Sequence, residues 1–190
     1  MTMNAAATLL EGGDPQRIAI VCGAERVTYE ALRDSTSRAA SSWRRRGVER
    51  GDRVAIKLPD GGAWVSAFLG AMWSGGVAVA VNPRIPAEDW QVILAEKPFR
   101  FILADSLGDK PEPFRERVVL VDEWLREAQA ATPMAAEAMA EDAPAFWTHS
   151  SGSSGRPKAV VHAHRFASAV ERVAAELLGV GAEDRLFASL

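Results

Sequence analysis

Apolar residues recur along this chain with two different periods, and the switches between them outline its elements. Ile18–Cys22 and Arg26–Tyr29 flank Gly23-Ala24-Glu25 and predict a β-hairpin. From Thr28 the spacing becomes helical: Leu32, Thr36, Ala39 and Trp43 fall at i, i+4, i+7 and i+11 and mark a buried face. Thr28 is expected to cap this helix and Gly47 to stop it. Arg44, Arg45 and Arg46 fall in its last turn, against the negative end of the dipole. Three successive arginines are also compatible with a phosphate site, but a solvated helix end is the plainer reading.

Arg53–Leu58 reads as a strand. Asp60 is expected to cap the next helix, in which Trp64, Ala67, Phe68, Ala71 and Met72 form an apolar stripe ending at Gly75-Gly76. That stripe is read as core and not as a cofactor box. Val77–Val81 is a continuous apolar strand of the doubly covered kind, which completes a right-handed βαβ unit. Asn82-Pro83-Arg84 then stands at that strand's carboxyl end, where open α/β sheets place ligands. Next come a helix over Ala87–Glu96, a strand over Phe99–Ala104, and an exposed loop over Asp105–Arg117 containing Pro111 and Pro113. Arg117–Val121 is a further strand, and Asp122 is expected to cap Glu123–Ala131. Phe146–Thr148 and Ala159–His162 are β-type runs. A helix from His164 or Arg165 to Leu178 should turn Val170, Val173, Ala174, Leu177 and Leu178 inward. Arg185–Leu190 reads as an apolar strand that looks interrupted, so the chain is expected to be the front part of a longer protein.

The fold class is therefore α/β, a mostly parallel sheet with helices on both faces. Residues 1–190 are read as one incomplete N-terminal domain. Residues 1–15 should fray, 16–131 hold the βαβ-rich part, 132–143 form a linker, and 144–190 carry a hairpin, a helix and the interrupted strand.

Composition narrows the function classes. A hydrophobic share of 48% with 25% charged residues is ordinary for a globular protein. The net charge of −3 and the lack of a basic stripe disfavour nucleic acid as a partner. Cys22 is the sole cysteine, so no intrachain disulfide can form; it is read as a buried core thiol in a reducing compartment. No apolar run nears the ~20 residues that span a bilayer, and Met1–Leu10 lacks the basic start of a signal peptide. A cytoplasmic location is the default expectation.

The candidate chemistry sits between the last two β-type runs, in Ser150-Ser151-Gly152-Ser153-Ser154-Gly155-Arg156-Pro157-Lys158. Glycines let successive backbone N–H groups converge, the hydroxyls add donors, and Lys158 supplies a compact positive charge. Pro157 narrows the directions in which that lysine is presented. Ser/Gly-rich stretches are commonly flexible linkers, but this one is short and pinned between apolar runs. It is not a Walker A loop, because the residue five places after Gly152 is Pro157. Nor is it a nucleophile elbow, because Arg156 stands where the second glycine belongs. A polyphosphate uses the whole set.

The run Ser151–Lys158 closely resembles the phosphate loop of the adenylate-forming superfamily of acyl- and aryl-CoA synthetases, peptide-synthetase adenylation domains and luciferases. The surrounding Phe146-Trp147, Ser150-Ser151-Gly152 and Val160-Val161-His162-Ala163-His164 are most similar to benzoate-type aryl-CoA ligases. Two positions depart from the usual pattern. His149 stands where many members have another residue, and Ala159 replaces the final glycine.

The resemblance implies an ATP-dependent acid–CoA ligase, AMP-forming, that activates a carboxylate of aromatic flavour as an acyl-adenylate before thioester formation. It implies ATP phosphate contacts from Ser150, Ser151, Gly152, Ser153, Ser154, Gly155 and Lys158, with Mg2+ bridging phosphate oxygens and coenzyme A as co-substrate. Arg84 would meet the nucleotide part of coenzyme A; a plain turn with an exposed arginine is an equal reading. No catalytic residue and no metal ligand of the family falls in this stretch, so the isolated chain is expected to be inactive. Its partners would be a small carboxylate and the missing C-terminal part of the same enzyme; apart from the resemblance, an unpaired apolar edge at Arg185–Leu190 suggests association with a second copy. His162 and His164 suggest a polar strand end more readily than a metal site. Two rival classes remain: a non-catalytic partner or nucleotide-binding module, and a serine hydrolase of the amidase-signature kind. An encoding frame that continues for some hundreds of codons past 190 would favour the enzyme.

Overall fold

In a computed structural model, residues 2–11, 14–96, 98–106, 114–150, 156–181 and 183–187 are described. The chain opens with a two-residue strand β1 (Thr2–Met3) and a short helix α1 (Ala5–Leu10), followed by the hairpin β2 (Ile18–Cys22) and β3 (Glu25–Thr28). Helix α2 (Tyr29–Arg45) follows, capped by Thr28, whose Oγ1 accepts the Ala31 N–H at 3.1 Å. Next come β4 (Arg53–Lys57), α3 (Gly62–Trp73), β5 (Val77–Ala80), α4 (Ala87–Glu96) and β6 (Phe101–Ala104). A 3-10 turn (Arg115–Arg117) leads into β7 (Val118–Leu120) and α5 (Val121–Gln129). The last elements are β8 (Met139–Ala140), β9 (Pro144–Ser150), β10 (Lys158–Ala163) and α6 (Phe166–Glu176).

Six strands form the central sheet in the order β10-β9-β5-β4-β6-β7. Every pairing in it is parallel except β9 with β10. Because side chains alternate along a strand, the sheet feeds two cores. Val54, Ile56, Ala78 and Leu103 pack toward α2, α3 and α5 with Trp43 and Trp124. Ala55, Val79, Ile102 and Trp147 pack toward α4 with Trp90 and Ile93. Helices on both faces of a mostly parallel sheet agree with the pattern of apolar runs. Leu32, Thr36, Ala39 and Trp43 are all buried on α2, as their spacing predicts. Between α2 and α3 the approach is close: a Cβ on Gly70 would meet Ala39 Cβ at 2.6 Å.

Several local expectations are corrected. Residues 2–10 do not fray. β1 pairs with β8, α1 packs on α3 and α6, and Ala5, Ala6 and Leu10 are buried. Asn4 anchors this segment: its amide donates to the carbonyls of Met72 (2.9 Å) and Glu137 (3.0 Å), and its Oδ1 accepts the Ala6 N–H (3.1 Å). The stretch 132–143 is likewise no free linker, because β8 and Glu137 tie it down. Asp60 and Asp122 do not cap: Gly61 holds the cap position of α3, and α5 begins one residue before Asp122.

Cys22 is exposed and not a core thiol, because β2 and β3 form a separate two-stranded ribbon with one open face. On α6 the expected inward residues are largely bare: Val173 is 45% and Leu177 77% exposed, and Ala167 is the buried residue of that helix. Arg185–Phe187 form no strand, and Leu186 and Phe187 are exposed; residues 188–190 lie outside the described set.

At the end of α2, acids take up the charge of Arg44 and Arg46, whereas Arg45 stays exposed, as the solvated reading has it, and donates to the Glu127 carbonyl at 2.8 Å. Arg46 pairs with Glu123 and Glu127, each at 2.6 Å, and Arg44 with Glu137 at 2.7 Å. Hydrogen bonds from Arg50 and Arg44 hold the Glu137 carboxyl below the usual carboxylate range. No described helix is long and apolar enough to cross a membrane.

Candidate active site

Parallel strands β4, β5 and β9 end on the same edge of the sheet, and past their carboxyl ends lies a cleft of about 950 Å³. Open parallel sheets place ligands here because the connecting segments must diverge at this edge. Three aromatic side chains build one wall. Trp64 and Phe68 of α3 stack at 4.7 Å, and Phe68 meets Phe146 of β9 edge-on at 5.6 Å. The stripe read as pure core thus has a second use: Ala67, Ala71 and Met72 are buried, while Trp64 and Phe68 are half-buried and face the cleft. Ile85, Asp89 and Ile93 form the wall on the α4 side.

The rim is polar. Asn82, Pro83 and Arg84 follow β5 and line the cleft, as their position after that strand predicts. Their turn is fixed locally, since Asn82 Oδ1 accepts the Arg84 N–H at 2.8 Å and the Asn82 carbonyl accepts the Ile85 N–H at 3.0 Å. It is also tied from below, because Lys57 Nζ donates to the Pro83 carbonyl at 3.0 Å. Lys57 is buried, 4% exposed, at the end of β4. The sequence reading missed it, although a lysine closing the apolar run Val54-Ala55-Ile56 was a legible signal. Arg84 itself is exposed at the mouth.

Across the cleft, Thr148, His149 and Ser150 end β9. Ser150 stands directly opposite Lys158 in the antiparallel register, and His149 opposite Ala159. β9 therefore ends and β10 begins side by side at this edge, where Pro157 also lines the cleft. Ser150 and Lys158 are exposed, and no carboxylate pairs with Lys158 among the described residues. Ser151, Gly152, Ser153, Ser154 and Gly155 lie outside the described residues.

The two sequence departures, His149 and Ala159, thus prove to be cross-strand neighbours. Side chains opposed in this way share one face of the hairpin. Burial lowers the His149 pKa, against the opposing influence of the Ala80 backbone and the Glu96 carboxylate.

The other two histidines separate. His162 stacks on Phe146 at 4.4 Å and its Nε2 lies 3.3 Å from Thr148 Oγ1. His164 is fully buried, and its Nδ1 accepts the Ala5 N–H at 2.9 Å. Among the described residues no three His, Cys, Asp or Glu side chains converge as a metal site would require.

The model of the AMP-binding enzymes matches residues 11–190. The chain is 34% identical over 209 residues to a 3-hydroxybenzoate–CoA ligase of Aromatoleum sp. (strain CIB), covering 98% of this chain and 39% of that protein. It is 31% identical over 208 residues to a 3-hydroxybenzoate–CoA/4-hydroxybenzoate–CoA ligase of Thauera aromatica, covering 98% of this chain and 40% of that protein. Among solved structures, o-succinylbenzoate CoA synthetase of Bacillus subtilis superposes with a TM-score of 0.81 at 27% identity, over 97% of this chain and 38% of that one. The chain thus spans about two fifths of the length of the curated relatives it matches.

Proposed function

We propose, since this chain belongs to the family of AMP-binding enzymes, that it is the front part of an ATP-dependent acid–CoA ligase. One observation supports a phosphate seat at this edge: Ser150 and Pro157 line the cleft, and Ser150 stands directly opposite Lys158 in the antiparallel register. The hydroxyls of Ser150, Ser151, Ser153 and Ser154 and the amides of Gly152 and Gly155 would hold the β- and γ-phosphates, with Lys158 as a point charge. Mg2+ would arrive with those phosphates and neutralise part of their charge.

In the first step a carboxylate oxygen of the acid attacks the α-phosphorus. The bond from that phosphorus to the bridging oxygen breaks, and pyrophosphate leaves with the electron pair. No side chain need move a proton, so this part of the protein contributes positioning and charge neutralisation. The coenzyme A thiol, giving up its proton to water or to the departing AMP phosphate, would then attack the acyl carbon, and AMP would leave with the electron pair of the acyl–oxygen bond as the thioester forms. Arg84, held by the Asn82 turn and by Lys57, would meet a phosphate of coenzyme A. An aromatic acid is supported by the two hydroxybenzoate–CoA ligases among the relatives. The bare apolar face of α6 fits coverage by the remaining part of the enzyme.

Equilibrium dialysis with ATP tests the site. The 190-residue chain should bind ATP, and Lys158→Ala should weaken binding about tenfold, as loss of one charge-assisted bond predicts. The unaltered chain should show no acid-dependent exchange of pyrophosphate into ATP. ATP affinity that is absent, or indifferent to Lys158→Ala, would overturn the assignment.

A further inference from the structure

A second, smaller pocket opens on the opposite edge of the sheet, away from the cleft. β4, β6 and β7 are parallel neighbours, so their amino ends share that edge. Arg53 opens β4, Arg100 immediately precedes β6, and Arg117 immediately precedes β7. All three line a pocket of about 190 Å³, together with Asp52 and Phe99.

Charge is balanced differently here than at the end of α2, where Arg44, Arg46 and Arg50 each meet a glutamate. In the pocket the guanidiniums donate to neutral carbonyls. Arg53 Nη2 reaches Pro98 O at 2.8 Å, Arg117 Nη1 reaches Phe99 O at 2.9 Å, and Arg100 Nε reaches Gly47 O at 3.2 Å. A guanidinium carries five N–H donors, and each of these contacts uses one.

Asp52 is the one carboxylate among the lining residues. Its Oδ2 stands 3.9 Å from Arg100 Nε and already accepts the Glu49 N–H at 3.0 Å. Three formal positive charges therefore face one negative charge.

The forks are also held in place. Arg53 lies over the Trp147 ring at 5.2 Å and Arg117 over Phe114 at 5.8 Å. Arg53 Nε is buried with no hydrogen-bond partner. Burial draws the Arg53 pKa below its ordinary value, with Asp52 opposing. A charged donor left unsatisfied in this way is costly, and a negative charge in the adjoining pocket would offset part of that cost.

We propose that this pocket binds a phosphate group, at a site separate from the carboxyl-end cleft. Planar guanidinium forks match tetrahedral oxyanions with paired N–H donors, and the residual double positive charge suits a dianion. The pocket's volume suits inorganic phosphate or the head of a small phosphate ester.

Calorimetric titration of the 190-residue chain in a phosphate-free, chloride-containing buffer tests this, with inorganic phosphate in one arm and glycerol 3-phosphate in the other. Arg100→Gln and Arg117→Gln should each weaken binding about tenfold, the loss expected for a charge-assisted hydrogen bond. Arg115→Gln, which removes a neighbouring charge outside the pocket, should leave binding within about twofold, and Lys158→Ala reports separately on any anion held at the hairpin loop. Tighter binding in either arm supports the site and identifies the phosphate source. Three results would overturn it: no binding at millimolar phosphate, equal loss in Arg115→Gln, or loss confined to Lys158→Ala, which would seat the anion at the hairpin loop. Circular dichroism of each variant separates lost binding from lost fold.

Discussion

Helices α1 and α6 touch each other, yet the fold holds them in opposite ways. α1 has six residues, too few for stability on its own, and its Ala5 and Ala6 are buried. α6 has 11 residues and a clear apolar stripe, yet Val173 and Leu177 lie open. The difference is polar anchoring. Asn4 caps α1 and bonds the Met72 and Glu137 carbonyls, and Ala5 donates to His164. α6 begins at Arg165 with no side-chain cap. A short segment anchored by Asn4 and His164 is buried where a longer one leaves Val173 and Leu177 open.

The largest test of that contrast is Asn4→Ala. It removes a helix cap and buried bonds to two distant carbonyls, and should cost about 2–3 kcal/mol. A urea unfolding midpoint that does not move would break the comparison.

Acid should act next. Burial holds the His164 pKa below its ordinary value, so the unfolded chain takes up that proton more readily. The stability this gives is fully present above about pH 6.5 and is lost as pH falls below it toward the folded value, by at most about 1.4 kcal/mol per pH unit. Protonated Nδ1 can no longer accept from Ala5. Amide exchange of residues 5–7 should therefore accelerate between pH 7 and 5 more than exchange in β4, and equal acceleration would refute the role of His164. The smallest effect belongs to α6: Leu177→Ser should shift stability of this chain by no more than about 0.5 kcal/mol. A larger loss would show that its face is covered.

Where local chemistry and tertiary partner coincide, the sequence was legible. Thr28 caps α2, the Leu32–Trp43 face is buried, and the β4-α3-β5 unit lies where its periods placed it. The hairpin of β9 and β10 and the turn at Asn82 were equally readable, because strand pattern and turn residues agree there.

Failures came where a partner remote in sequence decides. Asn4 looks like a tail residue until Met72 and Glu137 stand beside it. Arg46, after the end of α2, looks solvated until α5 brings Glu123 and Glu127. Cys22 looks like core until its ribbon proves separate from the main sheet. Nor does spacing announce that Arg53, Arg100 and Arg117 share an edge, since that follows from strand order.

The Lys57–Pro83 bond has a consequence for recognition. A rim clamped from beneath by a buried ammonium has given up its conformational freedom during folding. An anion bound at Arg84, as proposed above, would find a settled backbone and need order only the outer part of one side chain. Loosening that clamp should cost residence time at the mouth before it costs the architecture.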